Sequence, residues 1–160
     1  MKYLNQFITE YIVKKKLDKF IDSEKHYNYY PKSRKELIND IKELLSKDIY
    51  DLNCIDTSKI IDMTSLFDID NYDKPLNNID ISNWNVSNVK YMEFMFYGYE
   101  NFDCDLSKWD VSNVEDMYSM FSDCKSFNQN LSNWDVSKVI YCSYIFENCP
   151  IKEEYKPKFK

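Results

Sequence analysis

Leu131-Ser132-Asn133-Trp134-Asp135-Val136-Ser137-Lys138-Val139 decides how this chain is read, because the phrase recurs. It appears as Leu106-Ser-Lys-Trp109-Asp-Val111-Ser112-Asn-Val114 and as Ile81-Ser-Asn-Trp84-Asn-Val86-Ser87-Asn-Val89. Trp84, Trp109 and Trp134 are 25 residues apart, and the Met-x-x-Met-Phe groups at 92–96 and 117–121 keep the same period. A fixed period of this size is the mark of a repeat architecture.

The repeats start before the first tryptophan. Leu52-Asn-Cys-Ile55-Asp-Thr57-Ser58-Lys-Ile60 aligns with the phrase at 81–89 at an offset of 29, and Met63 and Phe67 align with Met92 and Phe96 at that offset. The first unit is therefore four residues longer, a loop placed within 68–78, where Pro75 suits a turn. Four units result, starting near 52, 81, 106 and 131.

Each unit divides in two. Leu-x-x-Trp-x-Val has the apolar spacing of a leucine-rich-repeat strand, with Leu106, Trp109 and Val111 inward. Val114, Met117, Met120 and Phe121 follow with the spacing of a short helical face. Ser112 and Glu115 repeat the Ser-x-x-Glu of a capping box, which makes Ser112, and Ser58, Ser87 and Ser137 with it, expected helix caps. The expected fold is an α/β repeat: a short leucine-rich-repeat-like solenoid with a parallel strand ladder and short helices. Methionines and tryptophans recurring in phase are core, not a metal or cofactor box.

Residues 1–51 are expected to form an N-terminal helical pair that caps the repeats. Leu4, Phe7, Ile8, Tyr11 and Ile12 place a first helix over 3–21, whose Lys14–Lys16 face either solvent or a membrane surface, packing against the next helix being favoured. Ser33-x-x-Glu36 opens a second helix over 33–47 with Leu37, Ile38, Ile41, Leu44 and Leu45 on one face. Between them, Tyr27, Tyr29 and Tyr30 read as a helix-junction cluster or a recognition patch, and His26 has no evident partner. The domain plan is a cap over 1–51, the four units over 52–149 and a frayed basic tail over 150–160, leaving an open C-terminal edge.

Composition narrows the function. The 160 residues include a single glycine, which removes Gly-rich phosphate loops. Net charge is −6, with residues 1–51 at +2 and the repeats and tail at −8, against an electrostatic nucleic-acid binder. The five cysteines form neither a disulfide framework nor a Cys-x-x-Cys and read as buried reduced thiols. No stretch has the length of a membrane span, and the first 20 residues lack a signal-peptide pattern, so a cytoplasmic location is the default.

The phrase Leu-Ser-Asn-Trp-Asp-Val-Ser-x-Val, with Met-x-x-Met-Phe and Phe-Asn-Gln-Asn-Leu after it, resembles the BspA-like leucine-rich-repeat surface proteins of bacteria, to which lipoprotein repeats of mycoplasmas are related. The resemblance covers residues 52–149, and Lys-Glu-Leu-Ile at 35–38 looks like that family's helical lead-in. It implies a solenoid used for protein binding or attachment, not catalysis, and surface display.

The side chains expected to point out of the strands make the candidate partner-binding face: Asp56, Asn83, Asn85, Lys108, Asp110, Asn133 and Asp135. Within it Asp56, Asn85, Asp110 and Asp135 form an acidic row whose like charges need an explanation. Three remain open: each carboxylate bonds local backbone, a basic protein neutralises the row, or a divalent cation does. Neither a catalytic arrangement nor a cofactor or metal site is expected. The expected function is a non-catalytic protein–protein interaction module presenting this polar, acidic face. The alternative is an assembly protein that self-associates through its open C-terminal edge or N-terminal helix.

Overall fold

A computed structural model describes residues 27–73, 76 and 78–159 of the chain. The expected helix over 3–21, His26 and Pro75 lie outside the described residues.

One α-helix is present among the described residues: α1, Arg34–Ser46. The Glu36 backbone N–H donates to Ser33 Oγ at 3.3 Å, and Glu36 Oε2 accepts from the Lys32 N–H at 2.8 Å, so the capping box forms one residue out of register. At the other end Asp48 sits at φ 58°, and the Asp48 and Ile49 N–H groups close back on Leu45 and Leu44, each at 3.0 Å. That is a Schellman ending with Asp in place of the usual Gly. Leu37, Ile41, Leu44 and Leu45 are buried against the first repeat unit's end of the core.

The repeats do not build the expected strand ladder. The described residues of 52–149 contain no strand, only isolated parallel bridges, such as Asp62 with Tyr91, Tyr91 with Asp116, and Asp116 with Tyr141. With no ladder there is no leucine-rich solenoid, and that fold class is corrected to a mostly loop-built domain. The helix expected from Val114 to Phe121, and its counterparts, is absent as well.

Turns account for both corrections. Trp109 N–H bonds the Leu106 carbonyl at 3.0 Å, Val114 bonds Val111 at 2.9 Å, and Met120 bonds Met117 at 3.2 Å, all closing over three residues. The two ends of such a turn fall on one side, so an i, i+3 apolar spacing arises without a helix. A left-handed residue then stops helix growth at the same place in every unit: Ser65 (φ 48°), Phe94 (56°), Ser119 (50°) and Tyr144 (59°). A second left-handed position recurs at Gly98 (68°), Asp123 (61°) and Asn148 (53°).

The inward assignment holds despite the changed backbone. Leu106, Trp109, Val111, Val114, Met117, Met120 and Phe121 are all buried, as are their counterparts one unit earlier. Phe67, Phe96, Phe121 and Phe146 stack at 5.3–5.6 Å with interplanar angles of 9–16°.

Units join one to the next by two kinds of bond. In the Trp-Asp-Val half, side chains reach the previous unit's carbonyls: Trp84 Nε1 to Leu52, Trp109 to Ile81 and Trp134 to Leu106, at 2.9–3.2 Å. Asn88 and Asn113 amides do the same to Ser58 and Ser87. Side chains fill the role a strand ladder would have, which is why no ladder is needed here. In the Met-Phe half, backbone N–H groups at alternate residues donate forward: Met117, Ser119, Phe121 and Asp123 bond the carbonyls of Tyr141, Ser143, Ile145 and Glu147 at 2.8–3.0 Å. Met92, Phe94, Phe96 and Gly98 bond Asp116, Tyr118, Met120 and Ser122 in the same way.

Both ends carry specific covers. On the first unit, Arg34 of α1 donates Nε to the Thr64 carbonyl and Nη2 to that of Ser65 at 3.4 Å. The Tyr72 hydroxyl bonds the Leu66 carbonyl at 2.7 Å, and the Asn71 N–H bonds that of Asp68 at 2.9 Å. At the far end the segment 151–159 packs instead of fraying. Ile151 and Pro157 are buried, the Leu131 N–H bonds the Tyr155 carbonyl at 2.8 Å, and the Lys152 ammonium lies 5.0 Å from the Tyr155 ring centre.

Candidate functional site

The polar row is placed outward but is occupied by its own turns. Asn83, Asn85, Lys108, Asp110, Asn133 and Asp135 are exposed and Asp56 is half-buried. Asp56, Asn85, Asp110 and Asp135 each accept the N–H of the serine two residues on, at 3.0–3.1 Å. Asp51, Asp80, Asp105 and Asn130 repeat the arrangement at the preceding turn, at 2.9–3.0 Å. These are Asx turns, in which the side chain substitutes for a backbone carbonyl. The row thus repeats because the turn repeats, and the serines expected to cap helices instead supply the N–H.

Electrostatics follow from those bonds. The Ser112 hydroxyl and N–H hold the Asp110 carboxyl below the usual carboxylate range, while nearby Asp135 pulls the other way and Lys138 assists. The Ser107 N–H and hydroxyl depress Asp105 likewise. Burial disfavours the Asp80 charge, but bonds from Ser82, Asn53 and Cys104 outweigh it, and its carboxyl also titrates low. The structure gathers Asn83, Asn85, Lys108 and Asp110 around one shallow depression beside Tyr27, which Asp56, Asn133 and Asp135 do not line. Among the described residues no cluster of three or more His, Cys, Asp or Glu is arranged to hold a metal.

All five cysteines are free. Burial pushes the Cys104 thiol up to about 11 and raises Cys124 and Cys149 too. These groups are held as thiols, the unreactive form. Cys124 and Cys149 donate to the Phe96 and Phe127 carbonyls, a structural use.

A second surface is built from residues that the phrase does not contain. Phe94, Tyr118 and Tyr144 meet edge to face, Phe94 with Tyr118 at 5.2 Å and Tyr118 with Tyr144 at 5.8 Å. Tyr97 joins at 5.9 Å from Phe94. Phe94 is 37% exposed, Tyr97 53% and Tyr144 58%, so this aromatic stripe faces solvent across three units. Tyr91, Tyr141 and Ile140 are also exposed. At the Phe94 end the stripe opens into a cleft of 540 Å³ lined by Phe67, Leu76, Tyr97 and Tyr99.

Tyr99, one of the residues lining the cleft, carries an unmet polar group. The Tyr99 hydroxyl is buried with no hydrogen-bond partner. Burial raises its pKa, and the nearby Ile79 backbone opposes this without reaching hydrogen-bond geometry. The stripe escaped the sequence reading because Tyr118 is one residue out of phase with Phe94 and Tyr144. Fourteen tyrosines in 160 residues were the signal that could have found it.

No helix among the described residues is long and apolar enough to cross a membrane. Comparison with curated proteins and with solved structures gives no match. Nothing found supports membership of the BspA-like leucine-rich-repeat family or the surface display it implied. A family match covers 34–157, from the first residue of α1 into the packed C-terminal segment, and so takes in α1, residues 52–149 and the aromatic stripe. By that match the chain belongs to the family described as Mycoplasma protein of unknown function, DUF285.

Proposed function

We propose that the chain is a non-catalytic protein-binding module whose contact face is the aromatic stripe Phe94–Tyr118–Tyr144 with Tyr97 and the adjoining cleft. The observation that carries this is the backbone under the stripe. Phe94 and Tyr144 occupy left-handed positions, where a bulky L-residue costs about 1–2 kcal/mol. The neighbouring left-handed position shows what backbone ease alone selects: Gly98, Asp123 and Asn148. Two aromatic rings held out to solvent at that cost point to a use for the rings themselves. Tyrosine and phenylalanine supply large contact area with few rotatable bonds, the property that enriches aromatics at interface hot spots.

The acidic row is the weaker contact face. Its side-chain oxygens already accept backbone hydrogen bonds, so a partner would meet charges that the fold is using. The row supports a rim around the contact, not its centre.

The test compares capture by three forms of the full chain: native, the stripe variant Phe94→Ser/Tyr97→Ser/Tyr118→Ser, and the row variant Asp110→Asn/Asp135→Asn. The expected result is a protein retained by the native and row forms and lost from the stripe form, with all three equally folded by circular dichroism. Capture lost only from the row form would overturn the assignment of the face. A specific small-molecule turnover abolished by the stripe variant would overturn the class.

A further inference from the structure

Every junction between successive units in the Met-Phe half has the same polarity. The earlier unit gives N–H groups at four alternate residues, or three at the first junction, and the later unit gives the carbonyls that receive them. One carbonyl at each junction receives bonds running back: Lys90, Glu115 and Ile140 N–H groups bond the Ile61, Lys90 and Glu115 carbonyls at 2.8–2.9 Å, and the N–H of the next residue shares each at 3.2–3.4 Å. The peptide dipoles therefore align from unit to unit, carbonyl end toward the first unit and N–H end toward the last. The charge on Arg34 agrees with this direction, since it sits on the Thr64 and Ser65 carbonyls at the negative end.

After the last unit the chain runs into the packed segment 151–159, which does not repeat the phrase. The last unit's N–H groups at Cys142, Tyr144, Phe146 and Asn148 are the counterparts of Met117, Ser119, Phe121 and Asp123, and none meets an acceptor among the described residues. The Ile140 carbonyl, counterpart of Glu115, is likewise unmet. The segment 151–159 covers the Trp-Asp-Val half of this face through Tyr155 but stops beside the other half. What remains is a groove of 370 Å³ between Cys142–Glu147 and the residues Glu153, Lys156, Pro157 and Phe159. Phe146, the last ring of the phenylalanine column, lines it.

We propose that this face docks a repeat unit of the same construction carried by a different protein. The internal junctions state what fits: carbonyls at alternate residues for the four N–H groups, one N–H for the Ile140 carbonyl, and an aromatic ring stacked on Phe146 at the 5.3–5.6 Å that the column keeps. A second copy of this chain does not meet that description. Three of the four counterpart carbonyls on its first unit, at Thr64, Leu66 and Asp68, are taken by Arg34, Tyr72 and Asn71. Its own last face opposes donor to donor. The inference does not rest on the aromatic stripe, and the variants below leave Phe94, Tyr97 and Tyr118 intact.

The probe is a synthetic peptide of residues 139–149 of this chain, which carries the required carbonyls, the Ile140 N–H and Phe146. Amide hydrogen exchange is followed on the full chain. Alone, the Cys142, Tyr144, Phe146 and Asn148 amides are expected to exchange freely while those of Met117, Ser119 and Phe121 are protected. At millimolar peptide the four amides slow by roughly tenfold or more, and a peptide with Phe146→Ser gives no slowing. Placing the change in the peptide keeps the result independent of whether the protein variant folds. No slowing with the native peptide overturns the proposal, as does protection of the four amides in the chain alone. Concentration-dependent dimerisation that protects them overturns the choice of partner, since the occupant is then a second copy.

Discussion

The indole Nε1 of Trp109 donates to the carbonyl of Ile81, 28 residues earlier, at 3.2 Å, and Trp84 and Trp134 make the same bond one unit to either side. The tryptophan is thus the side chain that joins consecutive units in the half where backbone-to-backbone bonds are few. Ile55 stands in its place in the first unit, where Asn28 and Asp56 instead exchange backbone bonds with Cys54 and Tyr29 at 2.9 Å. Replacing Trp109 by Phe keeps an aromatic ring in the core but removes the bond between units, while the Ile81 carbonyl keeps the Trp84 backbone N–H at 3.0 Å. The expected loss is about 1 kcal/mol in urea unfolding. A Trp109→Phe protein as stable as native would remove the joining role.

Gly98 sits at φ 68° with no atom within 4 Å of where a Cβ would be. Space is free, so only backbone strain opposes a side chain. Gly98→Ala is expected to lose about 1 kcal/mol and Gly98→Val more, in the same urea measurement. Equal stability of all three would show that the left-handed position is not enforced.

Arg34 ties α1 to the first unit's outward carbonyls. Arg34→Ala is expected to cost about 2 kcal/mol, because hydrogen bonds from a charged group are lost and the Thr64 carbonyl stays unmet, while that of Ser65 keeps Asn71 and the Asp68 N–H. Arg34→Lys recovers only part, since an ammonium lacks the fork that reaches both Thr64 and Ser65. Full recovery by lysine would reduce the contact to charge alone.

Acid sensitivity follows from the Asx turns. Asp80, Asp105 and Asp110 titrate below their ordinary value in the folded chain. A depressed folded pKa contributes stability that is present above the unfolded carboxylate range, near pH 4, and is lost as pH falls through the folded pKa. Asp105→Asn/Asp110→Asn keeps the turn acceptor, as Asn85 and Asn130 already do, but removes the titration. The double variant is expected to unfold at lower pH than native while matching it at pH 7. An unchanged acid midpoint would place the acid-labile groups elsewhere.

Much of this architecture was legible in the chain and part was not, for definable reasons. The period, the buried set around Trp109 and Met117, and the capped helix, read over 33–47 and found at Arg34–Ser46, follow from spacing alone. The backbone did not, because an i, i+3 apolar spacing fits a helical face and a closed turn equally well. Glycine would have marked the left-handed positions, but this chain has it at only one of those described, Gly98, and fills the others with Ser, Phe, Tyr, Asp and Asn. Asp110 was correctly placed outward, with its backbone role among the alternatives, yet whether a partner reads it is decided by what its oxygen already bonds. The stripe stayed hidden because its members belong to no single register of the repeat.

The most direct test of the stripe as contact face is site-specific photo-crosslinking in cells of the source organism. A photoreactive phenylalanine analogue replaces Tyr97 in one strain and Ser132, exposed on the polar row, in another. The account predicts a discrete protein adduct from position 97, absent without light, and none of comparable yield from position 132. Adducts from position 132 alone, or no protein adduct from position 97, would contradict it.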